Sequence, residues 1–146
     1  MIYSSTEKSE IDAVRKAFGS YINQHSYFDI VYSDKIGYLY LLVNPEDDSQ
    51  PVFIGSADKL FRILISEIID DVCLAPGNQE HQDYRISTKE EQEIRRRALP
   101  LIEAIEGGRQ RYLACFEQCL RDYPQSATDA DIGYILKDLE NREPEE

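Results

Sequence analysis

Carboxylates at helical spacing are the side chains of this sequence best suited to chemistry. Glu67, Asp70 and Asp71 stand at i, i+3 and i+4, and Glu103 and Glu106 form a second pair three residues apart. Side chains at these spacings share neighbouring faces of a helix. Two such groups facing one another could hold Mg²⁺ or Mn²⁺, because hard cations prefer oxygen ligands. The five residues therefore define a candidate metal site for hydrolysing a phosphorylated small molecule.

This spacing loosely resembles the paired Glu-x-x-Glu and Glu-x-x-Asp arrangement of the all-α nucleotide pyrophosphohydrolases. The match covers only these carboxylates, the order of the two pairs differs from that family, and three predicted strands precede them. Acidic pairs also arise by chance in a chain with 28 acidic residues. We therefore carry no activity over, and a divalent-metal-dependent hydrolase is kept as an alternative function.

Thiols and imidazoles form no pattern typical of a catalytic or zinc site. Cys115 and Cys119 are four residues apart and share a helical face, whereas Cys73, His25 and His81 lie at other spacings. Zinc sites ordinarily need four such ligands at short spacings. The sequence has no Gly-x-Ser-x-Gly elbow, phosphate-binding glycine loop or His-Glu-x-x-His motif. It therefore predicts no catalytic residue and no cofactor.

Tyrosine is the residue type that most exceeds background, with ten in the chain. Tyr27, Tyr32, Tyr38 and Tyr40 fall in a predicted hairpin, where Tyr38 and Tyr40 would share one sheet face. Tyrosine suits half-buried strands, which is the favoured interpretation. It is also enriched in protein interfaces, so the four are candidate binding residues.

Basic charge is concentrated in one segment. Residues 85–116 carry 7 bases and 5 acids (+2), whereas residues 1–84 carry 6 and 14 (−8) and residues 117–146 carry 3 and 9 (−6). The segment centres on Arg95, Arg96 and Arg97. Glutamates four residues earlier predict ion pairs on a solvated helix, Glu91 with Arg95 and Glu93 with Arg97. The alternative is a docking surface for an acidic partner or a phosphate.

Period-two patterning predicts three strands. Residues 27–32 and 36–43 flank a short polar break and indicate a hairpin, and residues 52–54 follow a proline-bounded loop. Short connections predict a small antiparallel meander, with its strand order left open. Whether helices cover one face of the sheet or both is also left open.

Helical periodicity fills the rest of the α+β domain with about four helices. Thr6 can cap the first, which ends near His25. The second begins after Ser56, ends near Leu74 and forms the buried centre. The remaining two are a long helix from a Thr88–Glu91 capping box to Cys119 and a short one from Thr128 or Asp129 to Leu139. Pro100 should kink the long helix and Gly107-Gly108 could break it, and we favour continuity.

Composition bounds the class of protein. The 146 residues include 16 basic and 28 acidic side chains, a net charge of 16 − 28 = −12. We expect one domain over residues 1–141 and a frayed acidic tail over 142–146. The acidity disfavours nucleic acid and anionic membranes as partners. The N-terminus is not typical of a secretory signal, no apolar run is long enough to span a membrane, and the cysteine count fits a cytoplasmic location.

The favoured function from these features is a noncatalytic, acidic protein-binding or regulatory domain. It would recognise another protein through the tyrosine-bearing sheet or an acidic helical surface. Self-association is a third hypothesis, because the apolar stripe of the long helix is spaced like a dimer seam.

Overall fold

Five helices and three strands make up the described part of the chain, which is residues 2–43, 50–74, 86–107 and 109–122 of a computed structural model. The α+β class is confirmed. The predicted helix after Thr128 and the tail over 142–146 lie outside the described residues. In chain order the elements are α1 (Ser5–Ala17), α2 (Gly19–Gln24), β1 (Phe28–Ser33), β2 (Gly37–Leu42), β3 (Val52–Ile54), α3 (Ala57–Cys73), α4 (Thr88–Glu103) and α5 (Arg109–Asp122).

The sheet is the predicted antiparallel meander, in the order β1-β2-β3. Tyr40 pairs with Ile30 and Val52, and Leu39 pairs with Val31 and Phe53. Alternation along the strands separates two faces. The inner face carries Phe28, Ile30, Tyr38, Tyr40, Leu42, Val52 and Ile54, and the outer face carries Asp29, Val31, Leu39, Leu41 and Phe53.

Helix α3 forms the centre of the fold, as its apolar sequence predicts. Eleven of its 17 residues are buried, including Leu60, Phe61, Leu64 and Ile68. Helices α1, α4 and α5 all pack on it, and it also contacts β3. Among the described residues, no helix is long and apolar enough to cross a membrane.

The first helix is shorter than predicted because Phe18 interrupts it. Phe18 leaves helical geometry at ψ 9°, and its fully buried ring meets Phe61 edge-on, so packing overrides the helical pattern. The helix begins at a capping box in which Ser4 and Glu7 bond each other's backbone N–H. The prediction that Thr6 caps it is therefore wrong.

The prediction of one continuous helix from Thr88 to Cys119 is also wrong. Helix α4 continues through Pro100 to Glu103, and α5 starts at Arg109. Gly107 lies in the left-handed region at φ 73°, which an α-helix cannot include. The N-terminal capping box of α4 is Ser87 with Glu90, one residue before the predicted pair.

Both halves of the predicted apolar stripe pack inside the chain. Ile94, Ala98, Tyr112 and Cys119 are at most 2% exposed, and their helices pack on α3. The stripe that suggested a dimer seam is therefore an internal one.

Tyr3 joins the N-terminal segment to the sheet through its phenol oxygen. This oxygen accepts the backbone N–H of Tyr38 at 2.8 Å and donates to the carbonyl of Ile54 at 2.7 Å. Tyr38 and Ile54 are register partners, so the hydroxyl bridges β2 and β3. Gly37 is required beside it, because a Cβ at that position would stand 2.6 Å from the hydroxyl.

Replacing Tyr3 with phenylalanine is expected to lower the free energy of unfolding by about 1–3 kcal/mol. The variant leaves the N–H of Tyr38 and the carbonyl of Ile54 without their buried partner and changes little else in shape. Urea denaturation of wild type and Tyr3→Phe measures the difference. Equal midpoints would show that the bridge contributes nothing to stability.

Candidate functional site

Two of the four candidate binding tyrosines lie in the core. Tyr38 is 1% exposed and Tyr40 is 9% exposed, so both are packed inside the described chain, and their role in binding stays a prediction. Their hydroxyls donate to carboxylates on the helices beneath, Tyr38 to Asp12 of α1 and Tyr40 to Glu67 of α3 at 2.6 Å. A buried tyrosine needs a hydrogen-bond partner, and these helices supply one. The tyrosine-rich face therefore holds the sheet on its helices.

A polar cluster lies where α2 and the start of β1 meet α3. The Nε2 of His25 is 3.1 Å from both carboxylate oxygens of Asp71, and the Tyr21 hydroxyl donates to Asp71 at 2.5 Å. Ligand atoms of His25, Glu67 and Asp71 lie within 4.8 Å of one another, the only such group of three among the described residues. Glu67 and Asp71 are two of the five predicted metal ligands. The third member, His25, lies 46 residues before Asp71 in the sequence and was not among them.

The remaining three predicted ligands, Asp70, Glu103 and Glu106, are not part of this group. The site of five converging carboxylates is therefore not formed within the described chain. The sequence shows His25 only at a spacing that forms no site with the thiols, and it has no signal for the pairing of His25 with Asp71, because helix packing alone brings them together.

The hydrogen bonds of His25 disfavour a metal ion in this cluster. Its Nδ1 accepts the backbone N–H of Tyr27 at 3.2 Å, so the neutral ring carries its proton on Nε2 and donates to Asp71. A histidine that binds metal through Nε2 ordinarily donates from Nδ1 to an acceptor. Here Nδ1 meets a donor instead. The cluster is best explained as a hydrogen-bonded clamp between α2, the start of β1 and α3.

Tyr21 is expected to make the fold sensitive to alkaline pH. Burial and the hydrogen bond to Asp71 raise the pKa of Tyr21 above its usual value near 10. A group with a raised folded-state pKa stabilises fully below the unfolded pKa, and this contribution is lost as pH rises above it. In Tyr21→Phe the hydrogen bond to Asp71 is absent at every pH, and the side chain at position 21 has no proton to lose. The stability advantage of wild type should therefore shrink from about pH 9 to about pH 11.

Thermal melts of both proteins across this range measure that advantage. Tyr38 and Tyr112 also have raised pKa values and are common to both proteins, so they cancel in the comparison. An advantage that stays constant or grows would contradict the role assigned to Tyr21.

The three arginines form ion pairs, as the favoured interpretation predicts. Arg95 bonds Glu91 at 3.2 Å and Arg97 bonds Glu93 at 2.6 Å. Hydrogen bonds from Arg96 and Arg97 lower the pKa of Glu93 to about 2. Because glutamates face all three guanidinium groups, this stretch offers a weak docking surface for an anion.

Arg95 makes one contact that local spacing did not predict. Its guanidinium binds Glu117 in a two-pronged ion pair, with N–O distances of 2.6 and 2.8 Å. The pair joins α4 to α5 across the break at Gly107.

The thiol of Cys119 lies in the core. Cys119 is 1% exposed, and its hydrogen bond with Cys115 together with burial raises the pKa of its thiol. A raised pKa lowers the thiolate fraction, so Cys119 is a poor nucleophile.

A groove of about 640 Å³ runs between α1, α2 and β1, with Tyr32 at its edge. Ile30 of β1 lines it, but the side chains of Asp29 and Arg15 already bond the backbone groups of this residue. Asp29 accepts the Ile30 N–H at 2.8 Å, and Arg15 donates to the Ile30 carbonyl at 3.3 Å. Such capping obstructs strand addition at an open sheet edge. The groove is therefore unsuited to an extended peptide.

The outer face of the sheet is an apolar surface on which Phe53 is exposed and the other apolar side chains are partly buried within the described chain. Val31, Leu39 and Phe53 form a row across all three strands, with Leu41 beside them. None of these four side chains belongs to the buried core of the described chain, although the Phe53 ring stacks on the core residue Tyr3. Phe53 remains 43% exposed. Exposed apolar patches on a sheet mark interaction sites.

Tyr27 and Val43 extend the outer face by one residue pair. The Val43 N–H donates to the Tyr27 carbonyl at 2.8 Å, which continues the β1–β2 ladder. Alternation places both side chains on the outer side, where Tyr27 is 55% and Val43 is 39% exposed. Tyr27 is therefore the one candidate binding tyrosine that adjoins this face, because Tyr32 lies at the inner side against the Tyr38 ring.

Comparisons with known proteins give no family to which this fold and surface can be assigned. No protein-family model matches the chain, no curated protein matches it, and no solved structure matches it. Any function must therefore be argued from the residues and geometry above.

Proposed function

We propose that this protein is a noncatalytic protein-binding domain whose docking surface is the outer face of the sheet, with Tyr27 and Val43 at one end. The observation that carries the proposal is the apolar row Val31–Leu39–Phe53, which crosses three strands and lies outside the buried core of the described chain. An apolar surface of this kind, with an exposed aromatic ring, is suited to packing against another protein.

The competing polar sites support catalysis less well. The clamp of His25, Asp71 and Tyr21 is internally hydrogen-bonded, and the proton of neutral His25 points at Asp71. The thiol of Cys119 is buried and has a raised pKa. A binding role needs none of these groups to react.

Charge identifies the kind of partner. The described residues carry 13 bases and 16 acids, a net −3, so 9 of the 12 excess negative charges belong to the rest of the sequence. Residues 44–49 join β2 to β3 and contain Glu46, Asp47 and Asp48 without a base. In the sequence this acidic stretch follows Val43 directly. The partner we propose is a protein with an apolar contact segment flanked by lysine and arginine.

Electrostatic attraction of this kind steers association and weakens with salt. A second copy of the chain fits less well, because two molecules of net charge −12 repel each other.

Two measurements on the full chain test the proposal. Sedimentation equilibrium of the purified protein at micromolar concentration should give a monomer. A protein captured from the source cell's lysate should then bind as a purified recombinant chain at one-to-one stoichiometry, more weakly as salt rises from about 0.05 M to about 0.5 M. A dimer in the first measurement, or binding that strengthens with salt in the second, would contradict the proposed partner.

A further inference from the structure

Two opposite charges line the groove between α1, α2 and β1, and the backbone of one residue holds both. Arg15 of α1 donates to the Ile30 carbonyl at 3.3 Å, and Asp29 of β1 accepts the Ile30 N–H at 2.8 Å. The guanidinium also lies over the Tyr38 ring, 5.7 Å from its centroid. Both charged side chains are partly buried. The groove therefore holds a positioned cation and a positioned anion at neighbouring points.

Neither charge is neutralised within the described part of the chain. Arg15 and Asp29 form no ion pair there, with each other or with a third residue, and the bonds to Ile30 are their only hydrogen bonds. The other acid that lines the groove, Asp12, already forms an ion pair with Lys8 at 3.1 Å. Asp12 therefore does not take the place of a partner for Arg15.

Both groups keep bonding capacity for a ligand. A guanidinium has further N–H donors and a carboxylate has a second oxygen beyond those that the Ile30 backbone uses. Guanidinium groups bind carboxylates through paired hydrogen bonds, and carboxylates accept from ammonium groups. A small molecule that carries a carboxylate and an ammonium close together would satisfy both charges at once.

The rest of the groove suits an apolar side chain. Its volume of about 640 Å³ lies within the range of roughly 300–1,000 Å³ that is typical of small-molecule sites. Ile22, Val31 and Tyr32 line it beside the charged groups. Lys16, the neighbour of Arg15 in the sequence, also lines it and adds positive charge, which favours the carboxylate of a ligand.

We propose that the groove binds an α-amino acid with an apolar side chain, whose carboxylate pairs with Arg15 and whose ammonium pairs with Asp29. The site needs no partner protein. It can therefore hold or fail separately from the docking surface proposed above.

NMR titration of the full-length, ¹⁵N-labelled protein with three probes of one skeleton tests the two pairings. L-Phenylalanine carries both charged groups, 3-phenylpropionate lacks the ammonium, and phenethylamine lacks the carboxylate. L-Phenylalanine should bind about tenfold more tightly than either analogue, because each analogue loses one charged hydrogen-bonded pair. Absence of L-phenylalanine binding, or an analogue that binds equally tightly, would overturn the proposal.

Variants assign each pairing to its residue. Arg15→Gln should weaken L-phenylalanine about tenfold without weakening phenethylamine, and Asp29→Asn should weaken it similarly without weakening 3-phenylpropionate. Asp29→Asn keeps a side-chain oxygen for the Ile30 N–H. Arg96→Gln on α4 removes a cation that does not line the groove, so this control should bind all probes as wild type does.

A disturbed fold would weaken every probe alike, whereas the proposal requires each variant to spare one analogue. Should a variant fail to fold, the probe series on wild type still decides the question. Equal weakening of all three probes in a folded variant, or weakening in Arg96→Gln, would contradict the assigned pairings.

Discussion

Replacing Gly37 with alanine is expected to lower the free energy of unfolding by about 3 kcal/mol, more than a hundredfold in the folding equilibrium. Gly37 has φ 97°, a conformation that side chains with a Cβ rarely adopt. The new Cβ would also stand 2.6 Å from the Tyr3 hydroxyl. Relief of that clash requires Tyr3 to move, which breaks its bridge between Tyr38 and Ile54.

Alanine variants at two other glycines separate the effect of backbone strain from that of the clash with Tyr3. Gly107 has φ 73° with nothing near its Cβ position, so Gly107→Ala should show backbone strain alone, about 1 kcal/mol. Gly19 begins α2 in open space, so Gly19→Ala should be neutral or stabilise by up to about 1 kcal/mol. Urea denaturation of the three variants measures the series. Equal losses at Gly37 and Gly107 would show that Tyr3 does not restrict position 37.

Replacing Phe53 with lysine is expected to weaken partner binding by about 2 kcal/mol, or roughly 30-fold in Kd. An aromatic side chain at the centre of an interface contributes strongly, and a lysine there would have to be desolvated against an apolar, basic-flanked segment. Phe53 stacks on Tyr3 with ring centroids 6.0 Å apart, so part of any effect could come from the fold.

Leu41→Lys and Leu74→Lys resolve that ambiguity. Leu41 lies on the outer face opposite Asp29, where a lysine gains an opposite charge and leaves Tyr3 untouched. It should weaken binding as Phe53→Lys does, with a smaller change in melting temperature. Leu74 is 59% exposed at the end of α3, so the same charge change there should leave binding unaffected. Titration calorimetry with the purified partner measures all three, and equal Kd values for Phe53→Lys and wild type would remove the outer face from the interface.

Local patterns predicted the three strands, the faces of their residues and the central helix α3, whereas two of the predicted helices are each split in two. Period-two alternation correctly grouped Tyr38 with Tyr40 and Leu39 with Leu41. It could not show which group meets the helices, because both are apolar. The choice depends on Asp12 and Glu67, which lie 26 and 27 residues from the tyrosines they bond.

Contacts between distant parts of the chain account for the features of the structure that the sequence did not predict. The i,i+4 pair of Glu91 with Arg95 follows from helical spacing alone, whereas the pair of Arg95 with Glu117 requires a break in the helix at Gly107. His25 likewise meets Asp71 only after α2 packs against α3. A single sequence carries no periodic signal for contacts between residues so far apart in the chain. The hydrogen bond between His25 and Asp71 was therefore not predicted.

Site-specific photo-crosslinking tests the docking surface most directly. A benzophenone amino acid at position 53 preserves an aromatic ring on the outer face, and the same group at position 74 is the control. With the full chain in the source cell's lysate, position 53 should form an adduct with one protein, at an apolar segment flanked by lysine or arginine. Position 74 should not. Crosslinking from position 53 to a second copy or to residues 123–146 of the same chain, equal adducts from both positions, or no adduct would contradict the account.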